Sequence, residues 1–335
     1  MKKKKTKSSL KDRILISIFS VVITLSVLSV VGVFLFNTSF LENNEPDTGN
    51  DNKLDQDIIT PNEIRDKAVN ILVVGIDYTE KAGSNRGKLT DMIMVANFDM
   101  AAGKINALRI PRDSYIGEDI STGKINAVYG SKSSGGIDGL AKRINKTLNL
   151  TIDHYVTVNM DGFVNIVNAI GGVEMDVPIS FYLEGVKIEK GLQMLNGIQA
   201  EKVVRERYSY PTGDFGRIDM QNQFMQALIK KCFGMSKTQI VSMAPTLIKE
   251  VTTDLTLGEL LGYYNELMKV DMSNISFHIL PTTSAWKNGL AMQSIQREQT
   301  ADLLNAYFRP YSDPVPAEEL GILELKSEAP PAKAP

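Results

Sequence analysis

The residues best suited to chemistry lie in VRERYSYPTGDFGRIDMQ, which carries Arg205, Arg207, Asp214, Arg217 and Gln221. Arg205 and Arg207 stand where a helical pattern gives out, and Pro211 and Gly213 force a loop after them. Arg217 and Gln221, at i and i+4, share a face of the next helix. Guanidinium groups converging from two helices make a bidentate clamp for an oxyanion, phosphate above all. Ile218, Gln221, Met225, Leu228 and Cys232 recur at helical spacing, which puts Gln221 on a buried stripe. A buried amide needs a hydrogen-bond partner, either a ligand or a backbone group.

Two acids lie upstream. Asp77 directly follows the apolar run VNILVVGI, and Asp91 opens the next strand in KLTDMIM. If these strands are antiparallel neighbours, both carboxylates face one crevice off the carboxyl end of the first, where open α/β sheets bind ligands. Two carboxylates suit Mg²⁺, with Mn²⁺ as the alternative, the shell being completed by phosphate oxygens and water. The third strand ends in Arg109-Ile110-Pro111-Arg112-Asp113. Pro111 stops the strand, Arg112 projects from the turn, and Arg109 is a further candidate for the substrate. Lys124, in GKINAVY, adds another positive charge. Such a set fits a pyrophosphate substrate, because phosphoryl transfer is mostly positioning and charge stabilisation. Either aspartate could accept the proton of an attacking hydroxyl.

The elements that must position these residues alternate. Val69–Ile76, Met92–Phe98 and Lys104–Ile110 read as strands, the first apolar throughout, as in a strand buried on both faces. Gly136–Leu148 reads as a helix and His154–Asn159 as a strand. A helix capped by Asp161 follows, ending at Gly171-Gly172, then a strand at Val173–Val177. Helices are expected at 197–208 and 216–233 and between 239 and 269, then a strand at 275–280 and a helix at 295–308. The pattern predicts an α/β fold: one α-β-α layered domain with a central mixed sheet.

The ends differ in composition. Residues 1–13 form a basic tail and Ile14–Phe36 carries no charge. A run of that length spans a bilayer, and the lysines before it place the N-terminus in the cytoplasm. No small-residue cleavage site follows, so the reading is an uncleaved signal anchor with the bulk of the chain outside the cell membrane. Residues 37–66 read as an acidic tether, 67–311 as the catalytic domain, and 312–335 as a disordered proline-rich tail. A net charge of −2 over 335 residues provides no global basic field for nucleic acid. One cysteine rules out an intrachain disulfide, and two distant histidines argue against a zinc site.

In order, VGID, LTDM, IPRD, KINAVY, IGGVEMDV, VRER, DFGR and the following glutamine resemble the LytR-CpsA-Psr family, from about Val69 to about Phe308. The resemblance implies a phosphotransferase of the Gram-positive envelope. Such enzymes move a glycopolymer (teichoic acid, capsule or another wall glycan) from undecaprenyl pyrophosphate to peptidoglycan, forming a phosphodiester. It implies Mg²⁺, with Asp77 and Asp91 as metal and catalytic aspartates. Arg112, Arg205, Arg207 and Arg217 would then hold the pyrophosphate, with Gln221 beside them. It also implies an apolar tunnel for the lipid, with walls expected from the sheet and from helices 136–148 and 163–170. Two departures stand out: Leu89-Thr90-Asp91 where the family often reads Arg-Ser-Asp, and Met220 where an arginine often precedes the glutamine.

Alternatives remain at this level. Water in place of the sugar hydroxyl makes the same site a polyprenyl-pyrophosphate hydrolase. A non-catalytic envelope-binding protein is a second alternative. A regulatory role as a transcriptional attenuator fits poorly, since the cytoplasmic tail leaves no room for a helix-turn-helix.

Overall fold

The computed structural model describes residues 54–77, 89–131, 135–206, 237–256 and 269–329, with separate positions between 209 and 267. Arg207, Arg217, Gln221 and the N-terminal run Ile14–Phe36 lie outside the described residues. Among the described residues no helix is long and apolar enough to cross a membrane.

In chain order the main elements are α1 (Asn62–Arg65), β1 (Ala68–Asp77), β2 (Leu89–Asp99), β3 (Lys104–Ile110), α2 (Gly136–Leu148), β4 (His154–Asn159) and α3 (Met160–Ala169). Then come β5 (Val173–Val177), β6 (Phe181–Leu183), β7 (Val186–Ile188), β8 (Gly191–Leu195) and α4 (Gly197–Arg205). The chain continues with α5 (Lys237–Lys249), β9 (Thr252–Thr253), β10 (Ile275–Ile279), β11 (Thr282–Lys287), β12 (Leu290–Ile295) and α6 (Arg297–Tyr307).

The central sheet has the order β10-β3-β2-β1-β4-β9 and is mixed. β1 is antiparallel to β2 and parallel to β4, and β3 is parallel to β10. Alternating side chains of β1 feed two separate cores, because successive residues of a strand point to opposite faces. Val69, Ile71 and Val73 pack with Phe163, Ile166 and Val167 of α3 and with Ala200 and Val203 of α4. Leu72, Val74 and Ile76 pack on the other face with Leu140, Ala141 and Ile144 of α2 and with Leu304 of α6. Helices thus cover both faces of the sheet, and the fold is α/β as expected.

Several expectations are corrected. The cap of α3 is Asn159, whose Oδ1 accepts from Gly162 N at 2.7 Å, rather than Asp161. Asn159 closes β4, so the strand itself supplies the cap. The fold begins before residue 67: Leu54 and Ile58 are buried, and Thr60 N donates to the buried Asp153 carboxylate at 2.8 Å. Ile152 N also donates to Ile58 O at 2.9 Å, and Lys142 pairs with Asp55 at 2.9 Å, so apolar anchors and polar bonds together fix this segment.

The stretch read as a disordered tail is likewise packed as far as Ile322, and Glu328 N donates to Trp286 O at 2.8 Å. Leu320 and Ile322 join the α2–α6 core, and Gly321 passes so close to α2 that a Cβ there would lie 2.1 Å from Lys146 O. Arg297 fastens this strap, donating to the carbonyls of Ala317, Leu320 and Ile322. Charged hydrogen bonds contribute about 1.5–3 kcal/mol each and are not additive. Arg297→Met, which keeps the aliphatic stem, is therefore expected to lower stability by about 2–4 kcal/mol. It should also expose residues 314–329 to limited proteolysis. A urea midpoint equal to that of the parent chain would show that the strap is held by its apolar residues alone.

Candidate active site

β1 and β4 are parallel and end together, with Ile76 opposite Asn159. This is the carboxyl-end position at which α/β sheets bind ligands. Asp77 is the last residue of β1 and lies opposite Leu89, on the side of the sheet that carries α3 and α4.

Asp91 is not at the start of β2 but inside it, on an irregularity. Gly75 pairs with Met92 and Ile76 with Thr90, so Asp91 is the extra residue of a β-bulge. A bulge re-aims one side chain and is common beside active sites. Here it turns Thr90 inward, where its hydroxyl donates to Asn126 O at 3.3 Å, and leaves Asp91 exposed at the mouth. Gly75 allows the two strands to close at this point, since a Cβ there would meet Met92 Cβ at 3.1 Å.

Arg112 forms an ion pair with Asp91. The loop after β3 fixes that pair. Asn126 N donates to Arg112 O at 3.2 Å, and Asp113 lies between Arg112 (4.0 Å) and Lys124 (2.8 Å). Lys124 therefore neutralises Asp113 and supports the Arg112 loop rather than reaching the mouth. Arg109 lies deeper: it pairs with Met94, which pairs with Val73. It faces the α3–α4 side of the sheet, further from the mouth than Asp77.

Arg205 ends α4. Asn196 and Gln199 form a reciprocal capping box at the start of that helix. The guanidinium is 37% exposed and bonds Glu201 at 2.5 Å, one turn back, and Glu184 at 3.3 Å. Lys202 bonds the same two carboxylates, Glu184 at 2.5 Å and Glu201 at 2.7 Å. Burial pulls the Arg205 guanidinium down, but the Glu201 hydrogen bond and the charges of Glu201, Glu184 and Asp77 outweigh it and hold it above its ordinary pKa. The Asp77 charge is the smallest of these contributions, and it puts the end of β1 within electrostatic range of the end of α4.

Of the sequence candidates, Asp91 and Arg112 are paired, Asp77 lies opposite Leu89 on the neighbouring strand, and Arg205 is within range of the Asp77 charge, while Lys124 and Arg109 stand behind or below. Arg207, Arg217 and Gln221 lie outside the described residues. Glu201, Lys202 and Glu184 were not anticipated. Glu201 could have been found from its i,i+4 spacing to Arg205; Glu184 is brought by tertiary folding alone.

The mouth offers oxygen donors suited to a hard cation. Among the described residues no cluster of three or more acids, histidines or cysteines could hold a metal ion. His154 sits at the start of β4 against Tyr263, and His278 packs on Tyr307 and Phe308. A metal here would draw on Asp77 and Asp91 and on substrate oxygens.

The expected lipid walls do not hold as a pair. The α2 stripe, Ala141 included, is sealed into the core on the face away from Arg205. A cleft of about 550 Å³ lies between α3 and α5, but its lining includes Asn165, Asn168, Ser242, Thr246 and Glu250 and is largely polar.

The chain is thus an α/β domain with a mixed central sheet and acids and an arginine at or beside the carboxyl end of a central strand. The family model "LytR_cpsA_psr family" matches residues 31–309, and the chain belongs to that family. It is 34% identical over 197 residues to the Bacillus mycoides polyisoprenyl-teichoic acid–peptidoglycan teichoic acid transferase TagU. That match covers 58% of this chain and 63% of the relative. The Bacillus subtilis transferase TagV is 33% identical over 224 residues, covering 63% and 55%. The crystal structure of B. subtilis TagV superposes with a TM-score of 0.59 at 25% identity, covering 77% of this chain and 98% of that one. The chain thus spans less than two-thirds of the length of these curated relatives.

Proposed function

We propose that this protein transfers a glycopolymer phosphate from a polyprenyl-pyrophosphate carrier to a peptidoglycan hydroxyl. The acceptor oxygen bonds to the sugar-linked phosphorus, the pyrophosphate P–O bond breaks, and polyprenyl phosphate leaves. The observation that carries this reading is the Asp91–Arg112 ion pair close to Asp77 at the end of β1, with Arg205 in range of the Asp77 charge. Family membership and the named activity of the TagU and TagV relatives support the substrate class.

The arginines supply fixed donors for charge that builds on the phosphate oxygens, an effect worth about 2.7–4 kcal/mol per group in oxyanion sites. A phosphate arriving at Arg112 competes with Asp91 for it and so releases that carboxylate. Asp77 and Asp91 would then hold Mg²⁺, or Mn²⁺, which supplies Lewis-acid stabilisation of the phosphoryl oxygens when bound. One of the two would accept the proton of the attacking hydroxyl.

In this reading Ile14–Phe36 is a single-pass anchor, the N-terminus is cytoplasmic, and the domain works outside the cell membrane with no part in nucleic-acid binding. Protease added to intact protoplasts should remove the domain; full protection would place it inside. The activity itself is tested with purified lipid-linked pyrophosphate donor, with and without peptidoglycan. Acceptor-dependent phosphodiester is the expected product, and release of polyprenyl phosphate and free glycan phosphate at the same rate without acceptor would favour the hydrolase.

A further inference from the structure

We propose that Lys202 joins Arg205 in binding anions, and that the Glu184 carboxylate occupies the outer edge of this pair as an internal stand-in for a phosphate, displaced when substrate enters. This deepens the reading of the mouth as a phosphoryl-transfer site and rests on it.

Glu184 comes from a separate unit. β6 and β7 form a small ribbon, paired from Phe181↔Ile188 to Leu183↔Val186. The two-residue turn between them, Glu184-Gly185, has φ of 47° and 85°. Positive φ at both positions is the type I′ hairpin geometry, which favours Asn-Gly. Glutamate enters the left-handed region reluctantly, so turn preference does not explain this residue. Its reach does: the side chain crosses to α4 and bonds Lys202 and Arg205 together. The Lys202 hydrogen bond holds the Glu184 carboxyl below its ordinary pKa against the cost of burial, helped by the Arg205 and Lys202 charges.

Charge balance assigns the roles. Two cations, Lys202 and Arg205, face two carboxylates, Glu201 and Glu184. Glu201 is buried on α4 itself and cannot leave without unwinding that helix. Glu184 is 51% exposed at the tip of a ribbon with three-residue strands. When the tip swings away, Glu201 is the one carboxylate among the described residues still bonded to the two cations. A carboxylate and a phosphate present similar oxygens to Arg and Lys, so an entering phosphate restores the balance that Glu184 provided.

The test is a calorimetric titration of inorganic pyrophosphate into the full chain and into Glu184→Asn. Asparagine suits the turn and is too short and uncharged to hold the pair. The variant should melt at or above the parent and bind pyrophosphate about fivefold tighter, the factor implied by removing one competing ion pair of ~1 kcal/mol. Glu184→Gln, which keeps length and loses charge, should shift affinity the same way. Adding Lys202→Met to Glu184→Asn should cancel the gain. Unchanged or weaker binding by the Glu184 variants, with the parent still binding pyrophosphate, overturns this inference alone. No binding by parent or variants overturns the phosphoryl-transfer reading as well.

Discussion

Replacing Arg205 by lysine is expected to cut transfer by about 10²–10³, the loss seen when one oriented donor is removed from an oxyanion site. Thermal stability should barely move. The two halves of that result come from two faces of one guanidinium. One edge holds Glu201 at 2.5 Å, a carboxylate only 6% exposed. Lysine keeps a positive charge within reach of it. The rest of the group is in range of the Asp77 charge, and in the proposed site the planar fork matters: an ammonium cannot offer two parallel N–H donors to a phosphate. Arg205→Ala is a poorer probe. It leaves Glu201 with Lys202 alone and should cost about 1–3 kcal/mol in addition to activity. Steady-state transfer and melting curves on both variants separate the roles. Normal activity in the lysine variant would mean that charge alone, not directed hydrogen bonding, is needed at this position.

A second large effect is expected far from any charge. Gly197 opens α4 where it crosses α3, and a Cβ there would lie 2.1 Å from Val164 O and 2.8 Å from Val164 C. The obstacle is backbone, so no side-chain rotation relieves it. Gly197→Ala must force the two helices apart, with a cost at the upper end of the 1–3 kcal/mol range for overpacking, about 3 kcal/mol. For a domain of this size that corresponds to a fall of roughly 6–12 °C in melting temperature. Because α4 carries Arg205 at its far end, the folded fraction should also lose transfer. Gly262→Ala is the control, since a Cβ there meets nothing within 4 Å. A Gly197→Ala variant that melts within a degree or two of the parent would show that α3 and α4 part freely, and that α4 does not fix Arg205.

Much of this site is written locally. The buried run of β1 ends at Asp77, and Pro111 ends β3 so that Arg112 meets Asp91 in β2. Both can be read from short stretches because the strand period and the proline act over a few residues. The bulge at Asp91 could not be read, since it is a mismatch between two strands and leaves no mark on either. The same holds for Glu184, which reaches Arg205 only after the β6–β7 ribbon docks on α4. The assignment of α2 to the lipid wall failed for a related reason: an apolar stripe says that a helix is buried, not which face of the sheet buries it. Leu54, Ile58, Leu320 and Ile322 are too sparse to show periodicity, so the two packed ends read as tether and tail. The β11–β12 hairpin is legible in the sequence. Asn288-Gly289 sits between its strands with φ of 51° and 72°, the favoured two-residue turn. Of the two departures from the family pattern, Leu89 is exposed beside Asp77 and Met220 is buried in the α3–α4 core, so neither position supplies a cation to the mouth.

The central claim is that pyrophosphate sits between the end of β1 and the end of α4. A crystal structure of the domain with a bound polyprenyl pyrophosphate tests it most directly. The account predicts phosphate oxygens within hydrogen-bond distance of both Arg112 and Arg205, Glu184 swung clear of Lys202, and Asp91 released from Arg112. A head group seated elsewhere, such as the polar cleft between α3 and α5, with Arg205 still bound to Glu184 and Arg112 still bound to Asp91, would contradict it.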